Sequence, residues 1–257
     1  EFEFSAKLIN TGVDSSIAAG DFYVYATDIE GYNVAQLAYG SSDAKAVTLS
    51  FWVKASLAGT YCIALYSTTA SRYQIKEYTI SSADTWEKKT ITIASGDTTG
   101  SWNKTDGNGL RIYWDLGSGS TYQGTADTWA SGQKFSTTNQ ANWIDTSSAN
   151  FYLTGVQLEV GEVATPFEHR SFGEELSLCQ RYFLKEDGVS MRNFTGSSIA
   201  VSIPHFWKVT MRAAPSISGS NATANESITT QGFQGYKGGI SSGASWQLTG
   251  FSASAEL

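Results

Sequence analysis

Proline, cysteine, histidine and methionine are all scarce in this chain of 257 residues, which holds 3 Pro, 2 Cys, 2 His and 2 Met. Two cysteines do not make a disulfide framework. Cys62 and Cys179 stand far apart and read as buried free thiols. No CxxC pair points to a metal or redox site. Charged residues make up only 16%, against roughly 25% in an average soluble domain. No apolar run approaches the ~20 residues that cross a bilayer, which excludes a transmembrane helix. The glycines keep no three-residue period, which excludes collagen. No solenoid period is present, which excludes the simplest β-helical architecture.

Positive charge is also in deficit. Seventeen basic against 24 acidic residues leave a formal net charge of -7. Phosphate neutralisation dominates nucleic-acid affinity, so a diffuse acidic surface argues against DNA or RNA. The same charge disfavours anionic membranes. Neutral glycans and other proteins stay open as partners. Glu1 opens directly into the strand-like run EFEFSAKLI with no leader pattern. With methionine only at Met191 and Met211, the expectation is a processed product or the end of a longer chain.

What the chain has is aromatic residues, 13% of the total, and period-2 alternation almost throughout. In VTLSFWVK (47 to 54), Val47, Leu49, Phe51 and Val53 face one way, while Thr48, Ser50, Trp52 and Lys54 face the other. TYCIALYS follows, with Tyr61, Ile63 and Leu65 inward, and the two runs read as a hairpin with one buried face. Further alternating runs are YQIKEYTI, KKTITIAS, LRIYWDL and FYLTGVQLEV, separated by Gly, Ser, Thr, Asn and Asp clusters. Several short strands so spaced predict an all-β antiparallel sandwich.

One segment departs from that pattern. SFGEELSLCQRYF (171 to 183) predicts a helix with Ser171 and Glu174 as a capping box and Glu174 and Glu175 at the positive end of the dipole. Phe172, Leu176, Cys179 and Phe183 share one face and read as a packing stripe. Beyond it, shorter strands broken by Pro204, Pro215 and glycines predict edge or interrupted strands. The expected division is a sandwich over 1–170, then a linker helix with a smaller β domain over 171–257.

Catalytic signals are sparse. His169 and His205 are the only imidazoles, and no GxSxG, HExxH, P-loop or dinucleotide pattern is present. A glycosidase needs two carboxylates across a sugar, and nothing in the sequence selects a pair. The reading is not an enzyme. Binding has more support. Trp102, Trp129 and Trp143 lie in polar, loop-like segments, as does Tyr122. Such a ring either anchors its loop on the core or offers a flat face to a sugar, with Asn, Asp and Gln neighbours for the hydroxyls. On LRIYWDL, Leu110, Ile112, Trp114 and Leu116 form the core set. Arg111, Tyr113 and Asp115 then share the other face with Trp52 and Tyr66, a second polar-aromatic candidate surface. The candidate carbohydrate-binding residues are Trp102, Trp129 and Trp143, with Tyr113 as the strand-borne alternative.

FYLTGVQLEVGEVATPFEHRSFGEELSLCQRYF (151 to 183) resembles a segment of tail-fibre and other virion proteins of tailed, especially marine, bacteriophages. IEGYNVAQLAYGSSDAKAVTLSFWVKASLAGTY, YTISSADTWEKKTITIASGDTTGSW, VTMRAAPSIS and the closing SAEL resemble other parts of that family. The resemblance implies a virion location. The order of the FWVK, TWEKKTITI, LRIYWDL and FYLTGVQLE strands is similar, more loosely, to jelly-roll carbohydrate-binding modules with a galactose-binding-like sandwich. Many of those hold a structural calcium through an acidic pair in the final strand. Here that position reads Leu153, Thr154, Gly155 and Val156, with no carboxylate for a hard cation. No metal and no cofactor are expected, with Asp28, Glu30 and Glu159 the remaining oxygen donors.

Three readings follow. The chain is the distal receptor-binding part of a tail fibre, a homotrimer recognising a neutral host surface glycan. Alternatively it is a structural or decorating virion protein, or a glycan-degrading tailspike domain. Other virion proteins are expected partners; nucleic acid and membrane insertion are not.

Overall fold

The computed structural model describes residues 2–193, 195, 197–242 and 244–256. It divides into two compact units, Glu1–Glu168 and His169–Glu256. The first contains β1 (Ala6–Ile9), β2 (Phe22–Glu30), the single helical turn α1 (Gly31–Val34), β3 (Val47–Ala55), β4 (Gly59–Ser67) and β5 (Arg72–Ile80). It continues with β6 (Glu87–Ile93), β7 (Asn108–Ser118), β8 (Ala130–Ser131) and β9 (Asn150–Val160). Sheet A has the order β1-β9-β3-β6 and sheet B the order β2-β7-β4-β5-β8. Every strand ladder is antiparallel, and the chain passes repeatedly between the sheets, giving a jelly-roll sandwich.

The alternation of β3 sets its orientation. Val47, Leu49, Phe51 and Val53 are fully buried between the sheets, with Tyr61, Ile63, Leu65, Trp114 and Phe151 in the same core. Removing each of those large side chains from water contributes roughly 1.5–3 kcal/mol. The expected β3–β4 hairpin does not form. β3 lies in sheet A and β4 in sheet B, and the hairpin partner of β4 is β5, Ser67 facing Arg72 across the turn. Trp52 and Tyr66 therefore lie on different sheets.

Sheet B is also covered on its outer side. The chain between β7 and β9 folds back over it and seats Phe135 among Cys62, Ala64, Tyr66, Tyr73, Ile75 and Tyr113. The Phe135 and Tyr113 ring centroids are 4.4 Å apart. Strands β4 and β7 are thus largely buried on both faces, and the one cation of β7, Arg111, is paired with an acid. The solvated outer face expected for Arg111, Tyr113 and Asp115 is corrected: Tyr113 is 4% exposed and Asp115 1%. Arg111 is spent on Asp28, with Nη2 to Oδ2 at 2.6 Å.

The second unit has α2 (Phe172–Gln180), β10 (Phe183–Arg192), β11 (Ile199–Phe206), β12 (Ser216–Ser218), β13 (Ala224–Glu226), β14 (Gly232–Ile240) and β15 (Ser245–Ser254). They form two three-stranded sheets, β10-β15-β12 and β11-β14-β13, around a separate core that includes Trp207, Met211, Phe233, Leu248 and Phe251. Pro204 sits on the edge strand β11, where its missing N–H costs no ladder bond. The Ser171 hydroxyl accepts the Glu174 N–H at 3.3 Å and caps α2 as its sequence predicts. The packing stripe does not hold: no residue of α2 is buried, and Phe172 is 82% exposed. Cys179 is exposed with it, while Cys62 is buried, so the two thiols are not alike.

Candidate functional site

Three of the four predicted ligand rings are structural. Trp102 is 8% exposed and Trp143 3%, and Tyr113 lies under Phe135. Trp102 donates its indole N–H to the Thr99 carbonyl at 3.0 Å, and Trp143 donates to the Asn150 carbonyl at the same distance. Each satisfies its polar edge on backbone and buries its face, which is the anchoring role of a loop tryptophan. Trp129 is half-buried and donates to the Ser95 carbonyl at 2.8 Å. The fold brings Trp102 and Trp129 together, centroids 5.6 Å apart and planes near perpendicular, both against Tyr39. Trp143 and Tyr113 do not join them. The exposed platform assigned to Trp102, Trp143 and Tyr113 is therefore corrected, because their rings fill the interior.

The histidines offer no better site. His205 packs its ring on Trp207, Phe233 and Phe251 at centroid distances of 5.4, 5.8 and 5.0 Å, and burial lowers its pKa. Among the described residues no group of three or more His, Cys, Asp and Glu is placed to hold a metal ion.

The open aromatic surface is elsewhere, on the outer face of sheet A. Trp52 and Lys54 project from β3, Tyr152 and Thr154 from β9, and Trp86 stands just before β6. Register brings them together: Lys54 pairs with Tyr152, Trp52 with Thr154, and Lys7 of β1 with Tyr152. The Trp86 and Tyr152 rings lie 6.1 Å apart at 62°. The Lys54 ammonium sits 4.4 Å from the Tyr152 centroid and 5.4 Å from that of Trp86, and Lys7 lies 5.4 Å from Tyr152.

Two stretches of chain wall this surface. Residues 161–168 lie over the far half of the sheet, where the Thr48 hydroxyl donates to the Gly161 carbonyl at 2.8 Å and the Glu168 N–H donates to Gln157 Oε1 at 2.8 Å. Residues 2–5 form the near wall. The Thr154 hydroxyl donates to the Phe4 carbonyl at 2.8 Å, and the Phe2 ring meets Phe167 edge-on at 4.9 Å. Phe2 rests on Gly155, whose φ of +58 and lack of a side chain both belong to this contact, because a Cβ there would stand 2.5 Å from the ring. Against the near wall lies a groove of about 430 Å³ lined by residues 2–5 together with Trp52, Lys54, Trp86, Tyr152 and Thr154, within the size range of small-molecule sites. Trp86 is 38% exposed. A second cleft of about 360 Å³, lined by Ser118, Gln123, Gln140 and Asn142 among others, carries no aromatic ring.

Trp52 is outward by its parity in β3, whereas Trp86 and Tyr152 are not among the candidates that the loop tryptophans suggest. Parity would have found them, since Trp86, Lys88 and Thr90 share one face of the β6 run, and Tyr152 alternates with the buried Phe151 and Leu153.

No family model matches the chain, and no curated protein matches it. Among solved structures it is similar to a chain described as "CBM4 structure and function", at 16% identity and a TM-score of 0.29, over 56% of this chain and 80% of that one.

Proposed function

We propose that the first unit binds carbohydrate in the sheet A groove, and that the chain serves as the receptor-binding part of a phage tail fibre, on the virion and as a homotrimer. The observation that supports glycan binding is the convergence of three partly exposed aromatic rings, Trp52, Trp86 and Tyr152, in one groove. Sugars present C–H faces that stack on such rings, while Thr154 and Lys54 offer polar atoms at the margin. The phage setting is supported by the sequence likeness of residues 151–183 and the flanking segments. Single stacked contacts are weak, and a trimer gains affinity by offering several grooves to one polysaccharide coat.

The test is a glycan array with the parent chain and the variants Trp86→Ala and Tyr152→Ala. Binding that both variants lose while staying folded supports the reading. Binding that both retain would place the site elsewhere.

A second reading, a structural virion protein working through contacts between copies, is favoured by the exposed apolar residues Phe172, Leu176 and Leu178 on α2 and Phe206 on β11. Those residues suit subunit contacts as well as they would suit the trimer proposed above. Native mass measurement at micromolar concentration tests assembly. A monomer there would overturn the trimer and leave the groove to be judged by the array alone.

A further inference from the structure

The groove holds a lysine set between aromatic rings in a chain that is acidic overall. The molecule carries -7 overall, yet the cation lining the groove is Lys54, half-buried beside Tyr152 and Trp86. Five other half-buried cations of this unit have a partner, with Arg72 on Asp97, Lys76 on Asp127, Lys89 on Glu87 and Arg111 on Asp28, and Lys134 donating to the Thr121 carbonyl. Among the described residues, Lys54 and Lys7 have no carboxylate within the 4.0 Å of an ion pair. Lys88, also on the outer face, is partly answered by Glu159. The acid that lines the groove is Glu3, exposed on the near wall.

Both rings lie within cation–π reach of the Lys54 ammonium, and Lys54 lines the groove, so the cation is held beside the stacking surface. A sugar ring stacked on Trp86 or Tyr152 carries its substituents outward in its own plane. A carboxylate in that plane reaches an ammonium beside the stack without giving up the ring contact. Such a charge-assisted bond is about twice as strong as one to a neutral hydroxyl.

We infer that the groove selects an acidic saccharide, a uronate-bearing glycan whose carboxylate is received by Lys54 with Lys7 at the rim. This rests on the carbohydrate-binding reading above and narrows it. It also departs from the neutral glycan that the net charge suggests, because a ligand in the groove meets the local field before that of the whole surface.

The experiment measures binding of matched pairs, polygalacturonate, alginate and hyaluronan, each against its carboxyl-reduced neutral form, at low and high salt. At least one acidic member should bind roughly tenfold or more tighter than its reduced partner. Lys54→Met should erase that preference, and added salt should shrink it. Trp86→Ala should weaken both members of the pair. If the reduced form binds as well as the acidic one and Trp86→Ala weakens both, the acidic selection is overturned and the glycan groove stands. If an acidic preference survives Lys54→Met, the assignment to Lys54 is overturned. If no member of any pair binds and a broad neutral array is also blank, both this inference and the carbohydrate reading fall. Circular dichroism of each variant separates lost binding from lost fold.

Discussion

The buried Asp97 carboxylate receives both arms of the Arg72 guanidinium, Nε to Oδ2 at 2.6 Å and Nη2 to Oδ1 at 3.1 Å. The same carboxylate accepts the N–H and hydroxyl of Thr99, whose carbonyl in turn takes the indole proton of Trp102. One ion pair thus holds the loop on which the Trp102–Trp129 cluster is built. Burial alone would raise the Asp97 pKa, but Arg72 and Thr99 outweigh it and hold the carboxyl below its ordinary value. Its stabilising effect is therefore present above the ordinary carboxylate range and is lost as pH falls through the lowered value. Arg72→Ala leaves the acid buried without its cation and should cost about 3–5 kcal/mol by urea denaturation at neutral pH, with a smaller penalty once the pH has fallen through the lowered Asp97 value.

Asp115 behaves in the opposite sense. It is buried under the chain that covers sheet B, and burial pushes its carboxyl up to about 7, against the opposing pull of the Ser118 hydroxyl and the Gly117 N–H. Its second oxygen has no partner. The folded state holds a proton that the unfolded state releases near pH 4, so stability should fall as pH rises from about 4 to about 7 and then level off. The full span is on the order of 4 kcal/mol. Asp115→Asn should flatten that slope, read as Tm against pH between 4 and 8. An unchanged slope would show that another group carries it.

Tryptophan substitutions should sort into two classes. Trp102→Ala and Trp143→Ala empty core volume and should each cost about 3–5 kcal/mol. Trp86→Ala should cost less than about 1.5 kcal/mol, since its ring is partly in water. It should nevertheless lower glycan affinity about tenfold or more, which the two core variants should not do at a temperature where they remain folded.

The thiols give a simple check on burial. Cys62 is enclosed, and its pKa is raised to about 11 by burial against the weaker opposing bonds from Thr137. Cys179 is exposed on α2. A thiol reagent at pH 8 should modify one equivalent quickly and the second only after unfolding. Two fast equivalents would mean that the cover over sheet B opens readily.

Gly155→Ala should disturb the near wall of the groove. It places a side chain at φ +58 and drives a methyl group against Phe2. The left-handed conformation alone costs roughly 1–2 kcal/mol. The expected result is a lower Tm together with weaker glycan binding, measured by calorimetry.

Much of the first unit was legible because one face of sheet A meets the core and the other does not. Val47, Leu49, Phe51 and Val53 declare the buried side, and Trp52 and Lys54 the open one. The outer face of sheet B was not legible. Tyr66, Arg111 and Asp115 are residue types that also occur on solvated faces, and the cover comes from a Gly- and Ser-rich stretch whose main apolar anchor is Phe135. Loop tryptophans misled for a related reason. The polar neighbours of Trp102 and Trp143 describe where the backbone runs, whereas the direction of each ring is fixed by a carbonyl that accepts its N–H and by tertiary packing. Trp86, Tyr152 and Lys54 come from three separate segments, so their meeting depends on the strand order β9-β3-β6, which alternation alone does not specify.

That strand order also has a kinetic consequence. Trp52 and Thr154 are direct cross-strand partners although roughly a hundred residues of chain separate them. Closing so long a loop is entropically slow, and β topologies dominated by such pairings fold in milliseconds to seconds. The local β4–β5 hairpin needs no such closure. In a refolding experiment, strand content should therefore recover before the groove exists. A stopped-flow trace of ligand capture should lag the far-ultraviolet signal, making ligand capture a late reporter of complete folding.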